Sequence, residues 1–566
     1  METGGTRGNL LLSKIRGWKP TNLWQEVKRT SSLAGPVFLS QLMVLLINIV
    51  SAAFCGHLGK IELDAVSLAT AVVSVCGISI GVGLSSACDT LISQTYGSKN
   101  LKRIGVILQR GILILMIACF PCWALFINIE QILLALKQSP TVAKLTQLYV
   151  KIFIPALPAT FLYELQIRYL QNQGITMPQV FIGLIANCLN AAINYFLLYV
   201  LKLGVPGSAV ANVVSQYCQA TFLFLYIRWK KLYIGTWTGW SVDCLQEWGH
   251  FTRLAIPSML MICIEWWAFH IGTFLVGLIN EVQLGAQSIV YQVLTAVYMI
   301  SLGYGVAATV HVGNALGASN PEQAKNSAKV ALCCMGCISL ALVVILVSIR
   351  KVVSYIFTTE RDIINLVAEV IPVCAAFHLF DGMAGVSGGV LRGTGKQKLG
   401  AICNLIGYYL VGFPIGISLM FAAKLGVLGL WIGMLICVAV QLVFFQIVIY
   451  RTNWDEASNQ ALVNAGVLKG VDTSTSAPGG RIQYLSTELD TESGAVVRTP
   501  NVGQMKNSAC ENQVTDESSV LDTGLTTVGE ILSTKQLIVR RGLAFLSGLL
   551  ILAIGIVIHF TLAGGL

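Results

Sequence analysis

Three features make this 566-residue chain an all-α polytopic membrane protein. Apolar runs of about twenty residues recur along it, the length needed to cross ~30 Å of hydrocarbon. Hydrophobic residues make up 55% of the sequence and charged residues 11%, and the mean hydropathy is +0.72. Three short patches also repeat at a constant offset of 221 or 222 residues. Leu33-Ala-Gly-Pro36 recurs as Leu254-Ala-Ile-Pro257, Leu63-Asp-Ala65-Val-Ser67 as Leu284-Gly-Ala286-Gln-Ser288, and Leu203-Gly-Val-Pro-Gly207 as Leu425-Gly-Val-Leu-Gly429. Alternating strand patterns are too rare for a membrane barrel.

Taken in order, residues 1–32 form a basic tail without an apolar core and cleavage site, so no removable signal peptide is predicted. Twelve spans follow at 33–55, 65–92, 106–127, 148–167, 179–200, 207–227, 254–279, 284–310, 328–349, 363–388, 399–422 and 426–450. They divide into a first lobe, 33–230, and a second lobe, 254–450. Each copy of the repeat holds six helices, an even number, so both enter the membrane from the same side. The lobes are therefore expected to be related by a pseudo-two-fold along the membrane normal, with the cleft between them as the natural solute site. Pro155 and Pro158 are expected to bend the fourth span, and Pro36 and Pro257 to sit at tolerated positions where the first span of each repeat begins.

Residues 231–253 connect the lobes, either as an amphipathic helix on the inner leaflet or as a plain linker. Residues 451–540 are polar, rich in Ser, Thr, Gly, Asn and acids, and are predicted to be a disordered cytoplasmic loop. Residues 541–566 supply a thirteenth helix.

The net charge of +10 is placed asymmetrically. With a cytoplasmic N-terminus, the inner segments carry Lys28, Arg29, Lys99, Lys102, Arg103, Arg168, Arg228, Lys230, Lys231, Arg253, Arg392, Lys396 and others, whereas the outer loops carry few. That bias predicts a cytoplasmic N-terminus and an extracellular C-terminus. No basic stripe with interleaved aromatics appears in a soluble segment, so nucleic acid is not an expected partner. The sixteen cysteines lie mostly in apolar runs. The two CxxC pairs, Cys119–Cys122 and Cys334–Cys337, lack histidine ligands or a redox context and read as buried thiols. Gly393-Thr-Gly395-Lys396-Gln397 misses the phosphate-loop spacing, and Gln397 stands where a magnesium-binding hydroxyl belongs. No catalytic set can be assembled, so no enzyme, cofactor or metal is expected, and any transport must run on an ion gradient.

The chemistry concentrates in the second lobe. Glu265 lies in the apolar run MLMICIEWWAFHIGTFLVGL. A carboxylate at bilayer depth costs at least ~2.5 kcal/mol on insertion scales, so it marks a functional site by default. Adjacent aromatic faces suit an organic cation. Phe269 is four residues from Glu265 and shares its face, and His270 lies one residue further round. On the next span Tyr291 and Tyr298 line one stripe, with Gln292 beside it. His378 and Asp381, three apart, share a face of the tenth span. Two acids and two histidines are thus expected to converge among aromatic walls. Desolvation disfavours a charged carboxylate and histidine titrates near neutrality, so the site holds a proton or a cation but not both. In the first lobe Gln41 and Asn48 form a neutral polar stripe toward the cleft. Glu164 and Arg168 are expected to pair, and Asp89 to have a structural role at a helix end.

These residues resemble the multidrug and toxin extrusion (MATE) transporters of the vertebrate type. The resemblance rests on CGHLGKIELDAVSLA from Cys55, FIPALPATFLY from Phe153, Ile264-Glu265-Trp266-Trp267, LGAQSIVY ending at Tyr291, GNALGA from Gly313 and SGGVLRGTGKQ from Ser387, and it covers residues 33–450. It implies two six-helix lobes around a central cleft, a plasma-membrane location, and exchange of external protons for organic cations, with a monomer sufficient. It further implies that Glu265 and Asp381 are the acidic pair of the second lobe, and that Trp266, Tyr291 and Tyr298 are cleft aromatics. His270 and Gln292 stand where mammalian relatives carry glutamate, and Asp381 replaces a longer glutamate. A sodium-coupled exporter or a lipid flippase on the same scaffold is the alternative reading.

Overall fold

The computed structural model describes residues 23–468 and 531–563. Twelve of its helices are long and apolar enough to cross a membrane, and a bent pair makes a thirteenth span. The first lobe consists of α1 (Leu23–Gly56), α2 (Ile61–Gly97), α3 (Leu101–Ile127), α4 (Pro140–Phe153 continued by Ala156–Asn172), α5 (Met177–Val200) and α6 (Val205–Trp229). The second consists of α7 (Trp248–Gly277), α8 (Glu281–Gly317), α9 (Pro321–Ile349), α10 (Arg361–Gly393), α11 (Gln397–Ala422) and α12 (Val427–Tyr450). A short helix α13 (Trp454–Asn464) and a final helix α14 (Thr534–Ala563) complete the chain.

Local chemistry sets the helix ends. The side chains of Ser139, Asn280 and Asn320 accept from the backbone N–H groups of Val142, Gln283 and Gln323, which otherwise lack intrahelical partners. Pro140 and Pro321 occupy first turns, where a missing N–H costs nothing. The two halves of α4 meet at 58°. The break falls at Pro155, which removes a donor from the helical ladder.

The two lobes meet through pairs of contacts that are images of each other under the sequence repeat. A Cβ on Gly97 of α2 would collide with the backbone of Asn314 on α8, and one on Gly317 of α8 with the backbone of Gln94 on α2. Nearer mid-depth, Gly83 faces the backbone of Met259 on α7, while Gly303 faces Ala34 and Phe38 on α1. Reciprocal contacts of this kind are what a two-fold relation requires, and glycine is needed because the helices cross backbone to backbone.

The lobes hydrogen-bond to each other at the end that carries the connector. The Thr90 hydroxyl donates to the Arg392 carbonyl at 2.6 Å, and Gln94 Nε2 to the Gly393 carbonyl at 3.0 Å. Gln323 Nε2 reaches Glu26 at 2.7 Å, and the Ser31 and Tyr304 hydroxyls lie 2.9 Å apart. The outermost link is Trp267 Nε1 to the Val75 carbonyl, 3.0 Å. Beyond it, among the described residues, no hydrogen bond joins the lobes.

Three parts resolve or depart from the sequence expectations. Of the two forms open to the connector, it takes the linker and not the amphipathic helix: turns and one 3-10 turn (Val242–Leu245), because its polar groups are drawn to specific partners instead of along one face. Buried Arg103 and Arg110 both bind Glu247, at 2.9 and 3.1 Å, and Glu247 adopts a left-handed backbone (φ 54°) to reach them. The stretch after α12, expected to be disordered, begins with ordered α13. Asn453 caps it, Ser458 donates to the Leu316 carbonyl, Asn464 Nδ2 to Gln94 and Arg103 Nε to the Asn464 carbonyl. Helix α13 thus bridges both lobes at the connector end. The remainder of that expectation, 469–530, and the tail 1–22 lie outside the described residues. Finally, α1 is already helical at Leu23 and α7 at Trp248, so Pro36 and Pro257 lie inside these helices and not at their starts, and α14 begins at Thr534, earlier than predicted.

Helix α14 rests on α3 and the connector. Gly548 and Gly555 bring its backbone against Phe120 and Ala124, and Asn128 Nδ2 donates to the Gly555 carbonyl at 2.9 Å. Arg541 donates to the Leu245 carbonyl at 2.7 Å and lies 4.6 Å over the Trp248 ring.

Removing one member of a buried ion network leaves uncompensated charge, at about 3–5 kcal/mol. Glu247→Ala strands two arginines. Thermal unfolding of the purified protein in detergent is expected to show a substantially lowered midpoint, whereas Glu322→Ala, at an exposed pair with Lys325, is expected to leave it unchanged.

Candidate functional site

The site is built on three helices of the second lobe. Glu265, mid-way along α7, receives the Tyr298 hydroxyl of α8 at 3.1 Å. Asp381, on α10 and only 6% exposed, lies within electrostatic reach of Glu265. Neither carboxylate has an arginine or lysine ion pair among the described residues. Two acids in one lobe therefore share a low-dielectric setting, with a single phenolic hydroxyl as their visible donor. Such a pair attracts a proton or a cation strongly, and one charge bound weakens the pull on the next.

An aromatic cluster stands behind the acids. The Phe269 ring packs against Tyr291, Phe377, Tyr408 and Trp431, with centroids 6.1–6.4 Å apart. Trp431 Nε1 donates to Gln287 at 2.9 Å, and Gln287 donates to Thr273. This hydrogen-bonded aromatic core fixes the rotation of α7 against α8 and α12, and with it the direction in which Glu265 points.

The structure brings Glu265, Tyr298 and Asp381 together. Phe269 and Tyr291 form the adjoining ring cluster, and the His270 ring lies tilted to Tyr291 with centroids 6.1 Å apart. His378 is buried and its Nε2 has no partner; neither histidine hydrogen-bonds to an acid. Trp266 and Gln41 are half-buried, and Gln292 is exposed. Among the described residues no group of three His, Cys, Asp or Glu side chains is placed to hold a metal ion.

In the first lobe Glu164 and Arg168 do pair, at 3.5 Å. Asp89 lies in the first turn of the segment Ala87–Gly97, after a break in α2 at Ser86, and has a structural role: it is buried, and its carboxylate binds Arg168 at 3.4 Å and Asn172 Nδ2 at 3.2 Å. That lobe also contains a buried neutral network that the sequence reading missed. Ser51 donates to Asn190 and Asn212, Asn190 Nδ2 to Asn212 and Ser215, and Asn212 to the Tyr149 hydroxyl. The available signal was the set Asn187, Asn190 and Asn194 at helical spacing within an apolar run. None of these groups carries charge.

Comparisons with known proteins agree with this architecture. The family model described as MatE matches residues 36–196 and again residues 257–417. The chain is 56% identical to multidrug and toxin extrusion protein 1 of Danio rerio, over 96% of this chain and 92% of that one. It is 53% identical to multidrug and toxin extrusion protein 1 of Homo sapiens, over 98% and 97%. Among solved structures, the eukaryotic MATE transporter AtDTX14 superimposes with a TM-score of 0.76 at 30% identity, covering 79% of this chain and 100% of that chain. The bent form of the Vibrio cholerae transporter VcmN shares the fold at 15% identity and a TM-score of 0.66, over 78% and 99%. Both repeats, the near full-length relatives and the superposition converge: the chain belongs to the MatE family and is a two-lobed, multi-pass membrane transporter, not an enzyme.

Proposed function

We propose that this protein exports organic cations and xenobiotics across the plasma membrane in exchange for protons, by alternating access. The observation that carries the reading is the Glu265–Asp381 pair, held at bilayer depth by a tyrosine hydroxyl and without an ion pair. Unpaired intramembrane acids are expensive and mark ion or substrate pathways. The names of the relatives, multidrug and toxin extrusion proteins, support drugs and toxins as cargo.

The basic residues favour a cytoplasmic N-terminus, which puts the connector end inside. The lobe contacts then close the inner side, as an outward-facing carrier requires. Outside protons compete with the cargo. At 4 Å two unit charges attract by about 4 kcal/mol at an effective dielectric of 20, so protonating Glu265 weakens cation binding by up to roughly a thousandfold. With the cation released, the lobes rock, breaking the Thr90–Arg392 and Gln94–Gly393 links and reforming contact outside. The proton leaves inward, and the ionised pair takes a new cation.

Flux of a radiolabelled organic cation in proteoliposomes with an imposed pH difference tests this reading. Uptake driven by the pH gradient is expected. Uptake driven only by a sodium gradient would identify a sodium-coupled exporter, headgroup-dependent lipid movement a flippase, and conductance a channel. Glu265→Gln is expected to reduce gradient-driven flux by about a hundredfold or more while elution from size exclusion is unchanged. Tyr298→Phe removes a hydrogen bond to a charged acceptor and is expected to cost about tenfold in flux, whereas Tyr291→Phe, whose hydroxyl does not meet Glu265, stays within about twofold of native.

A further inference from the structure

Helix α13 belongs to one lobe by its packing and reaches the other with its tip. It follows α12 after a short turn, and Lys396, between α10 and α11, donates to Thr452 of that turn at 3.0 Å. Ala457 and Ala461, four residues apart on one face, are buried in a cluster with Ala308, Val312, Leu316 and Ala328, all of the second lobe. Ser458 adds its bond to the Leu316 carbonyl. The last turn points the other way. Asn464 Nδ2 donates to Gln94 Oε1 at 2.8 Å, Arg103 Nε to the Asn464 carbonyl at 3.0 Å, and Asn100 Nδ2 to the Ala465 carbonyl at 2.8 Å. All three partners belong to the first lobe. Gln94 is fully buried and is held at both ends of its amide by the second lobe, since its Nε2 reaches the Gly393 carbonyl. Arg103 meets the carbonyl end of α13, where a helix leaves acceptors without intrahelical partners and carries partial negative charge, while its Nη2 binds Glu247. The repeat does not impose this crossing. The segment that follows α6, the connector, is held by Gln109 of α3 and Tyr169 of α4, both in its own lobe.

We propose that α13 is a latch on the inner side: it travels with the second lobe, and its last turn lets go of Gln94, Asn100 and Arg103 each time that side opens. The inference rests on the alternating-access reading above. Release costs little, because water takes over the freed amides and carbonyls at the membrane surface, whereas the apolar face of α13 stays buried on α8 and α9. The latch therefore biases the carrier towards the state closed inside without locking it. A hydrogen bond that water can replace contributes about fivefold to an equilibrium, so removing one shifts the ratio of inner-closed to inner-open protein by about that factor.

Ser93 supplies the reporter. It is fully buried at the seam, where a Cβ on Gly313 of α8 would collide with its hydroxyl, so a thiol at that position reacts only when the inner side parts. Full-length protein carrying Ser93→Cys is placed in vesicles with the connector side outward and treated with a membrane-impermeant maleimide. Modification of the peptide that contains position 93 is followed by mass spectrometry. Adding Asn464→Ala is expected to raise the modification rate about fivefold. Gln460→Pro, at an exposed position, breaks the helical ladder before the last turn and is expected to raise the rate about tenfold or more. Asn459→Ala, on the exposed face of α13, is expected to stay within about twofold of the parent. A helix that is merely structural lowers the thermal midpoint when altered and leaves the modification rate in place. Should Asn464→Ala fail to accumulate, Asn464→Ser serves the same comparison. An unchanged rate in the Asn464 variant, or an equal rise in Asn459→Ala, overturns the latch while leaving native exchange intact. Absence of pH-driven cation flux in the native protein would instead overturn the exchange reading itself.

Discussion

Charge at bilayer depth must be neutralised, and this requirement organises the molecule. Water supplies no compensation in the hydrocarbon region, so each ion there either finds a partner or pays the full cost of desolvation. The chain answers the requirement in two places by pairing acids with arginine. Asp89 and Glu164 share Arg168, and Glu247 is shared by Arg103 and Arg110. These ion clusters do structural work: the first ties α2 to α4, the second ties α3 to the connector. At Glu265 and Asp381 the requirement is left open, with the Tyr298 hydroxyl as the visible donor. A carrier uses such an imbalance because the missing charge can arrive from solution as a proton or as cargo.

The same organisation separates what is rigid from what moves. Within each lobe, apolar cores and neutral hydrogen bonds lock the helices together. The asparagine network around Asn190 and the Phe269–Trp431 ring cluster are the polar and aromatic versions of that lock. Between the lobes the links are few: Thr90 and Gln94 hold backbone carbonyls beside glycine crossings, and Gln323–Glu26, Ser31–Tyr304 and Trp267–Val75 add to them. Hydrogen bonds of this kind contribute about 1 kcal/mol each, which suits an interface that opens and recloses. Helix α13 adds to the same side, bridging Leu316 of one lobe to Gln94 and Arg103 of the other.

The sequence by itself determined the helices, the two copies and the central acid. Twenty-residue apolar runs can satisfy their backbone in hydrocarbon only as helices, a constant 221-residue offset can arise only from a repeat, and Glu265 stands out because a lone carboxylate in such a run is so costly. Pro155 likewise announced the bend in α4, since a missing donor breaks any helical ladder. Tertiary structure decided the pairings. Which face of α7 meets α8 is set by ring packing around Phe269, and that rotation, not any local pattern, gives Glu265 the hydroxyl of Tyr298, 33 residues away. Asp89 found Arg168 across the intervening helix α3. The polar segment after α12 carried no periodic apolar signal strong enough to predict α13; only the seam between the lobes, with carbonyls and an arginine to satisfy, made that short helix worth forming.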